Sequence, residues 1–302
     1  MNTADKLLSL IRLYAVKKPE WTVEEAANEL GISVSTAYRY FRSLCKIGML
    51  EPLNGSSYGL GPAIVEFDRQ IRMNDPMIKL GKPVMQRLIS HSGGIGIAQL
   101  CRTHRNGVMC IHQEGEDIRT LPLSYERGRL MPMFRGSASK VVFANLPWAS
   151  LRSFFSESPR EIAEAGLGNT WLTVRDNLRK IRKARVVVAH GEVDPGRVGI
   201  SAPVFGMKKR VVGSVGLVIT EDEATPEMVY NVSALVDAAG RQISEGLEDH
   251  SSAAGVTSVN GHLDSTTTRP AELETSNVTH RAGLETFRSE APTDTSSSVG
   301  WK

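Results

Sequence analysis

Cysteine is scarce in this chain, and the three present, Cys45, Cys101 and Cys110, are odd in number and widely spaced. That excludes a disulfide framework and points to a reducing compartment. Long hydrophobic runs are missing too: the longest apolar stretch, residues 211–219, has about half the length a membrane-spanning helix needs. The opening Met-Asn-Thr-Ala-Asp-Lys lacks the pattern of a secretion signal, so a soluble cytoplasmic protein with no membrane partner is expected. Nor does one sign of charge dominate. Lys and Arg number 36 against 33 Asp and Glu, so any affinity for nucleic acid must come from one local face. A Gly-x-Ser-x-Gly elbow, a glycine-rich phosphate loop opening a helix and a His-Glu-x-x-His pair are all absent, which leaves no catalytic residue to nominate and no cofactor to expect.

What is present begins near the N-terminus. Leu7, Leu8, Leu10, Ile11 and Tyr14 have helical spacing and predict a helix over residues 4–16. Thr22 and Glu25 form a capping box for a second helix ending at Leu30, where Gly31 permits the left-handed turn that stops it. Ser33 is placed to cap a third helix. In that helix Ala37, Phe41 and Leu44 make the inward stripe, leaving Ser35, Thr36, Tyr38, Arg39, Arg42 and Lys46 near or on the outer face. No acidic residue lies anywhere in residues 33–50. Such a helix suits a phosphate-lined groove, its first turn reaching base edges while Arg42 and Lys46 take phosphates. Short extended runs at residues 49–53 and 58–60 flank Asn54-Gly55-Ser56-Ser57, a hairpin whose tip, Asn54 and Ser57 included, can meet the DNA backbone.

Gly61-Pro62 then opens a linker helix in which Ile64, Val65, Phe67 and Ile71 gather on one side, suited equally to self-association and to packing on the same chain. Asp75-Pro76 breaks it, and a further helix follows over residues 77–90. Residues 94–248 read as mixed α and β: extended runs at 95–104, 108–112, 119–124, 186–190, 198–205 and 211–220, and helical runs at 138–145, 147–155, 173–185 and 225–246. From residue 249 the chain turns polar without period and is expected to be a disordered tail.

Two groups of residues in the second domain invite chemistry. If Asn106-Gly107 is a two-residue turn, Cys101 faces His112 and Thr103 faces Cys110, a weak three-ligand arrangement with His104 on the other face. Buried thiols and a satisfied histidine are the commoner outcome, so no metal is expected. A pocket is easier to support. The apolar loop with Met131 and Met133 leads into a helix start at Gly136-Ser137-Ala138, and Arg197, Gly199 and Ser201 share one face of a strand. A helix N-terminus and a fixed guanidinium with space beside it suit a small carboxylate.

Taken in order, these elements resemble the IclR family of bacterial transcription regulators over residues 4–248: the helix-turn-helix with Ser35-Thr36-Ala37-Tyr38-Arg39, the wing ending Tyr58-Gly-Leu-Gly-Pro62, the helix start Gly136-Ser-Ala-Ser-Lys140, and Glu192 ahead of Gly196-Arg-Val-Gly-Ile-Ser-Ala-Pro-Val-Phe205. The resemblance implies an α+β, multidomain chain: a winged helix-turn-helix (1–60), a linker helix (61–75), a GAF-like effector-binding domain (76–248) and the tail (249–302). It implies a homodimer or dimer of dimers on a double-stranded DNA operator, answering to a small-molecule effector. It puts DNA contact at Ser35, Thr36, Tyr38 and Arg39, and effector contact near Leu123, Ser137, Ala138, Ala189 or His190, Arg197, Gly199, Gly216 and Val218. The chain departs from the family at Ser139, where glycine is usual, and at Lys208-Lys209-Arg210, which replaces an acidic and glycine turn. The alternative is an enzyme or metal-binding sensor using residues 94–248.

Overall fold

Capping chemistry sets the N-terminal helices of the computed structural model, which describes residues 2–115 and 123–259. Helix α1 (Thr3–Val16) starts on an Asn2/Asp5 capping box. Helix α2 (Val23–Leu30) starts on the Thr22/Glu25 box, with Glu25 N donating to Thr22 Oγ1 at 3.2 Å, and ends at Gly31 with φ 61°. Helix α3 (Val34–Lys46) is capped by Ser33, whose Oγ accepts from Thr36 N at 3.2 Å. Ala37, Phe41 and Leu44 are buried against Leu10, Trp21 and Ala26. Strands β1 (Leu50–Pro52) and β2 (Tyr58–Leu60) pair antiparallel as the wing, and Trp21 bridges to Tyr58.

Helix α4 (Ala63–Asn74) follows, and α5 (Pro76–His91) begins at once behind it. Asp75 governs the joint. Its Oδ1 accepts from Met77 N at 2.9 Å and from Ile78 N at 3.3 Å, and its two oxygens take the Arg102 guanidinium at 2.5 and 2.7 Å. Farther up α4, Asp68 accepts from Arg72 at 2.8 Å and from Arg127 at 2.5 Å.

Among the described residues the second domain is built on six antiparallel strands: β3 (Ile97–His104), β4 (Gly107–Glu114), β5 (Leu130–Pro132), β6 (Val187–His190), β7 (Arg197–Phe205) and β8 (Val211–Thr220), in the order β5-β4-β3-β8-β7-β6. Alternation on β7 divides the sheet's two faces. Val198, Ile200, Ala202 and Val204 pack with α5 and with α10 (Pro226–Val259), while the intervening residues meet α6 (Ser137–Asn145). Helices α7 (Trp148–Glu157), α8 (Pro159–Glu164) and α9 (Trp171–Ala184) cover the remainder around Phe143, Leu151, Ile162 and Leu178.

Four expectations need correction. The β3–β4 turn is Arg105-Asn106, with Arg105 at φ 53°, and a register irregularity follows at Leu100/Cys101, so Cys101 faces Cys110 and Leu100 faces His112. Gly107 is needed in the strand instead, because a Cβ there would stand 2.5 Å from Met131 O. The expected apolar loop contains β5. Helix α8, opened by Pro159, was not anticipated. Finally, α10 continues past Glu248 to Val259, where Ser251 and Ser252 donate back to Leu247 O and Glu248 O at 2.9 Å and Ala253-Ala254 favour helix. The rest of the expected tail, 260–302, and most of the expected strand 119–124 lie outside the described residues.

Burial alone would raise the Asp75 carboxyl, but the Arg102 guanidinium and the two backbone N–H groups outweigh it and hold its pKa below the usual carboxylate value. A depressed native pKa gives stability that is present above the unfolded value and lost as pH falls through the native one. Asp75→Ala is therefore expected to cost about 1–3 kcal/mol at pH 7, the range for a cap plus a partly solvated ion pair. Urea melts should show that gap closing once the pH is well below the ordinary carboxylate range; a gap of constant size down to acid would refute the assignment.

Candidate functional site

Two surfaces on this frame can bind something. The first is the outer face of α3. Ser33, Ser35, Tyr38, Arg39, Arg42 and Lys46 are exposed, Tyr38 at 58%, and Thr36 is half-buried with its hydroxyl 2.8 Å from Ser33 Oγ. Among the described residues no carboxylate pairs with Arg39, Arg42 or Lys46. At the wing, Asn54 is exposed, but Ser57 Oγ donates to Glu20 Oε2 at 3.1 Å and to Asn54 O at 3.3 Å. Its hydroxyl ties the wing down, contrary to the expected outward role.

The second is a cavity at the head of α6. Ser137 through Ala144 are all buried, so this helix lies hard against the sheet. Close approach requires small residues opposite it. A Cβ on Gly199 would stand 2.6 Å from Ser137 Oγ, and one on Gly216 would stand 2.3 Å from Ser201 Oγ. Hydroxyls satisfy each other across the contact: Ser137 Oγ is 2.8 Å from Ser201 Oγ, and Ser214 Oγ donates to Ala138 O at 3.0 Å. Gly136, at φ 80°, precedes the helix and brings no side chain to cap it.

The cavity above encloses about 40 Å³. Ser137, Ala138, Ala189, Arg197, Gly199 and Val218, all expected from the sequence, line it. Leu123 lines a neighbouring space of about 30 Å³ that also touches Arg197 and Val218. The other expected contacts lie elsewhere. Met131 and Met133 are in the apolar cluster with Phe134, and exposed His190 turns to Glu221 at 2.9 Å. Ser201 and Gly216 sit beneath the cavity as packing residues.

Sequence reasoning missed Gln99, Tyr125, Glu192 and Asp194, which also line it. Glu192 occupies one of the N–H groups at the helix head: its Oε2 accepts from Gly136 N at 3.0 Å and its Oε1 from Lys140 Nζ at 2.6 Å. Asp194 accepts from Ser124 N at 3.1 Å and from Ser124 Oγ at 2.6 Å. The Tyr125 hydroxyl donates to Arg135 O at 3.0 Å and meets Ser139 Oγ at 2.6 Å, which gives the unusual serine at 139 a partner. Burial, foremost, raises the Tyr125 phenol and keeps it neutral. The readable signal was two carboxylates in a short loop between glycines, residues 191–196.

Cys101 and Cys110 are buried in the core, where the neighbouring Cys110 and burial push the Cys101 thiol up, and His112 bonds Glu114 at 2.7 Å. Among the described residues no three His, Cys, Asp or Glu side chains are placed to hold a metal, and no helix is long and apolar enough to cross a membrane.

Comparison with known proteins bears on both surfaces. Residues 3–53 match the family model described as IclR helix-turn-helix domain, and residues 72–245 the one described as bacterial transcriptional regulator IclR C-terminal. The chain is 24% identical over 256 residues to the HTH-type transcriptional regulator KipR of Bacillus subtilis, covering 80% of this chain and 96% of that protein. In fold it is similar to an IclR transcriptional regulator from Silicibacter, with TM-score 0.67 at 16% identity over 82% of this chain and 96% of that one. It is also similar to an IclR homologue from Microbacterium hydrocarbonoxydans solved in complex with 4-hydroxybenzoate, with TM-score 0.62 at 17% identity over 82% and 99% of the two chains.

The exposed face of α3 generates a direct test. Arg39→Ala is expected to lower affinity for the specific duplex by about tenfold or more, the loss of a bidentate base contact, with no change in melting temperature. Lys46→Ala should instead weaken specific and nonspecific duplexes alike. A gel-shift series in which Arg39→Ala keeps wild-type affinity and footprint would remove Arg39 from the interface.

Proposed function

We propose that this chain, which belongs to the IclR family of bacterial transcriptional regulators, senses a small organic carboxylate in the cavity at the head of α6 and works as a homodimer on a pseudo-palindromic operator. It is a DNA-binding regulator with a C-terminal effector-binding domain. The carrying observation is the meeting of Arg197, Gly199 and the start of α6 around one enclosed space, a combination of fixed charge, room and helix N-terminus that favours an anion. The 4-hydroxybenzoate held by the Microbacterium homologue, itself a small organic acid, agrees with that class.

Assembly is supported by α4. Val65, Phe67 and Ile71 are 71%, 55% and 50% exposed, an apolar face that a second copy would cover. Two copies of α3 would then enter successive major grooves on one side of the duplex. Communication between the two sites is supported by a single short segment. Tyr125 lines the cavity; two residues on, Arg127 donates to Ile111 O at 2.8 Å and to Asp68 on α4 at 2.5 Å. On this reading, effector binding moves the Tyr125 segment and weakens the hold of Arg127 on the linker helix.

Paired variants separate sensing from relay. Arg197→Ala should weaken carboxylate binding by about 10- to 100-fold, the value of a charge-assisted hydrogen bond, and leave operator affinity alone. Asp68→Asn should do the reverse, binding carboxylate normally while operator affinity no longer changes with it. Calorimetry together with operator gel shifts reads both, and an unchanged titration for Arg197→Ala would sink the cavity assignment. For assembly, Phe67→Glu is expected to shift the sedimentation coefficient toward a single chain at micromolar protein, and an unaltered dimer would clear α4 of the role.

A further inference from the structure

Glu192, Val193 and Asp194 reach the cavity on residues 191–196, a loop bounded by Gly191 at φ 60° and Gly196 at φ 71°. A Cβ at either glycine would meet nothing within 4 Å, so it is the left-handed backbone, not packing, that calls for glycine there. Both carboxylates pin this loop: Asp194 holds Ser124, and Glu192 spans Gly136 N and Lys140 Nζ. Lys140 is only 9% exposed; it does not itself line the cavity, which it meets through Glu192, and it borders a groove of about 440 Å³ between α9 and β6. The Glu192–Lys140 pair thus stands between a small recessed cavity and a larger, more open groove.

The size of the cavity forces a movement. About 40 Å³ is well below the roughly 150 Å³ of a cavity that admits benzene, so an acid of ring size needs more room than this. Helix α6 and strands β7 and β8 are locked by close packing, so the part able to yield is the loop. Withdrawing Glu192 strands the buried Lys140 ammonium without its counter-charge and leaves Gly136 N–H without its acceptor, and an unpaired buried charge is strongly destabilising. A neutral ligand leaves that penalty in place. A carboxylate removes it by accepting from the same two donors.

We infer that Glu192 is the protein's own occupant of the effector's carboxylate seat, holding the loop closed until an anionic ligand replaces it on Lys140 and the head of α6. Lys140 then selects for anions, and Glu192 sets how tightly a ligand must bind to open the loop. The inference rests on the reading of this cavity as the effector site.

The experiment is chemical rescue in the full chain. Glu192→Ala should melt about 5–10 °C below wild type, as expected for a buried charge left unpaired in a domain of this size. Sodium acetate should restore most of that loss saturably, while acetamide and sodium chloride at matched concentration do not, and wild type should not respond. Acetate that fails to rescue, or that stabilises both proteins equally, overturns the seat. If Glu192→Ala does not accumulate, Glu192→Gln keeps the shape and removes the charge. Its melting temperature should rise with acetate more than that of wild type, and equal responses again overturn the proposal. Rescue alongside a wild type that no carboxylate releases from its operator would leave the seat standing and refute the functional reading. A wild type that responds to a carboxylate, with no rescue of the variant, would refute the seat alone.

Discussion

Burial of helix α6 from Ser137 through Ala144 is the constraint from which the second domain's chemistry follows. A helix pressed that closely to a sheet needs glycine and serine opposite it, which is what Gly199, Ser201 and Ser214 supply. It also carries its own N-terminus into the protein interior, where backbone N–H groups without acceptors are costly. Gly136 cannot cap them with a side chain, and for one of them, its own N–H, the acceptor comes from a distant part of the chain, Glu192. A polar cavity at this position is therefore a consequence of the packing and not an ornament added to it. The same packing leaves the aliphatic side of β7 and β8 free to make an ordinary core with α5 and α10.

Much of the fold was legible because it is written in local chemistry. The Thr22/Glu25 box, Gly31 and Ser33 specify the helix-turn-helix within a dozen residues, and each behaves in the structure as its type demands. Period-two alternation put Arg197, Gly199 and Ser201 on one face of β7, and in the structure the alternate residues Val198, Ile200, Ala202 and Val204 go into the core on the other. The β3–β4 turn misled because Asn-Gly is the usual hairpin signal, yet Gly107 is consumed by the approach of β5, a long-range demand that no local pattern announces.

The site divided along the same line. Residues on regular elements, Ser137, Ala138, Arg197 and Gly199, could be placed by periodicity or by resemblance. Gln99, Tyr125 and Asp194 could not, since their role depends on which loops meet over α6. Ser57 was misread for a related reason: a polar tip residue looks available until Glu20, remote in sequence, turns out to hold its hydroxyl. His190 was left open beside Ala189, and strand alternation decides between them, one pointing to the cavity and the other to solvent and Glu221.

The two ion pairs on the linker are unequal, and the inequality gives the proposed relay a mechanical form. Asp75 holds Arg102 with both oxygens while capping α5, and neither partner touches the cavity, so this end of α4 is an anchor. Asp68 holds Arg127 through one contact on a segment that does line the cavity. A half-exposed pair of that kind is worth roughly 0–1 kcal/mol, and effector coupling typically needs about 1–3 kcal/mol, so the pair can contribute a share that a ligand readily overcomes. Freed at Asp68, α4 can swing about Asp75. At about 1.5 Å per residue its Ala63–Asn74 span is about 18 Å long, and a tilt of about 6° displaces the far end by about 2 Å. That far end is bonded to the reading helix's own exit: Ala63 N donates to Gly48 O at 3.0 Å, two residues beyond the end of α3. In the proposed dimer, which would fit two such helices to grooves at fixed spacing, a displacement of that size at each would be enough to change the fit, and the proposed effector cavity would thereby govern a distant contact with DNA.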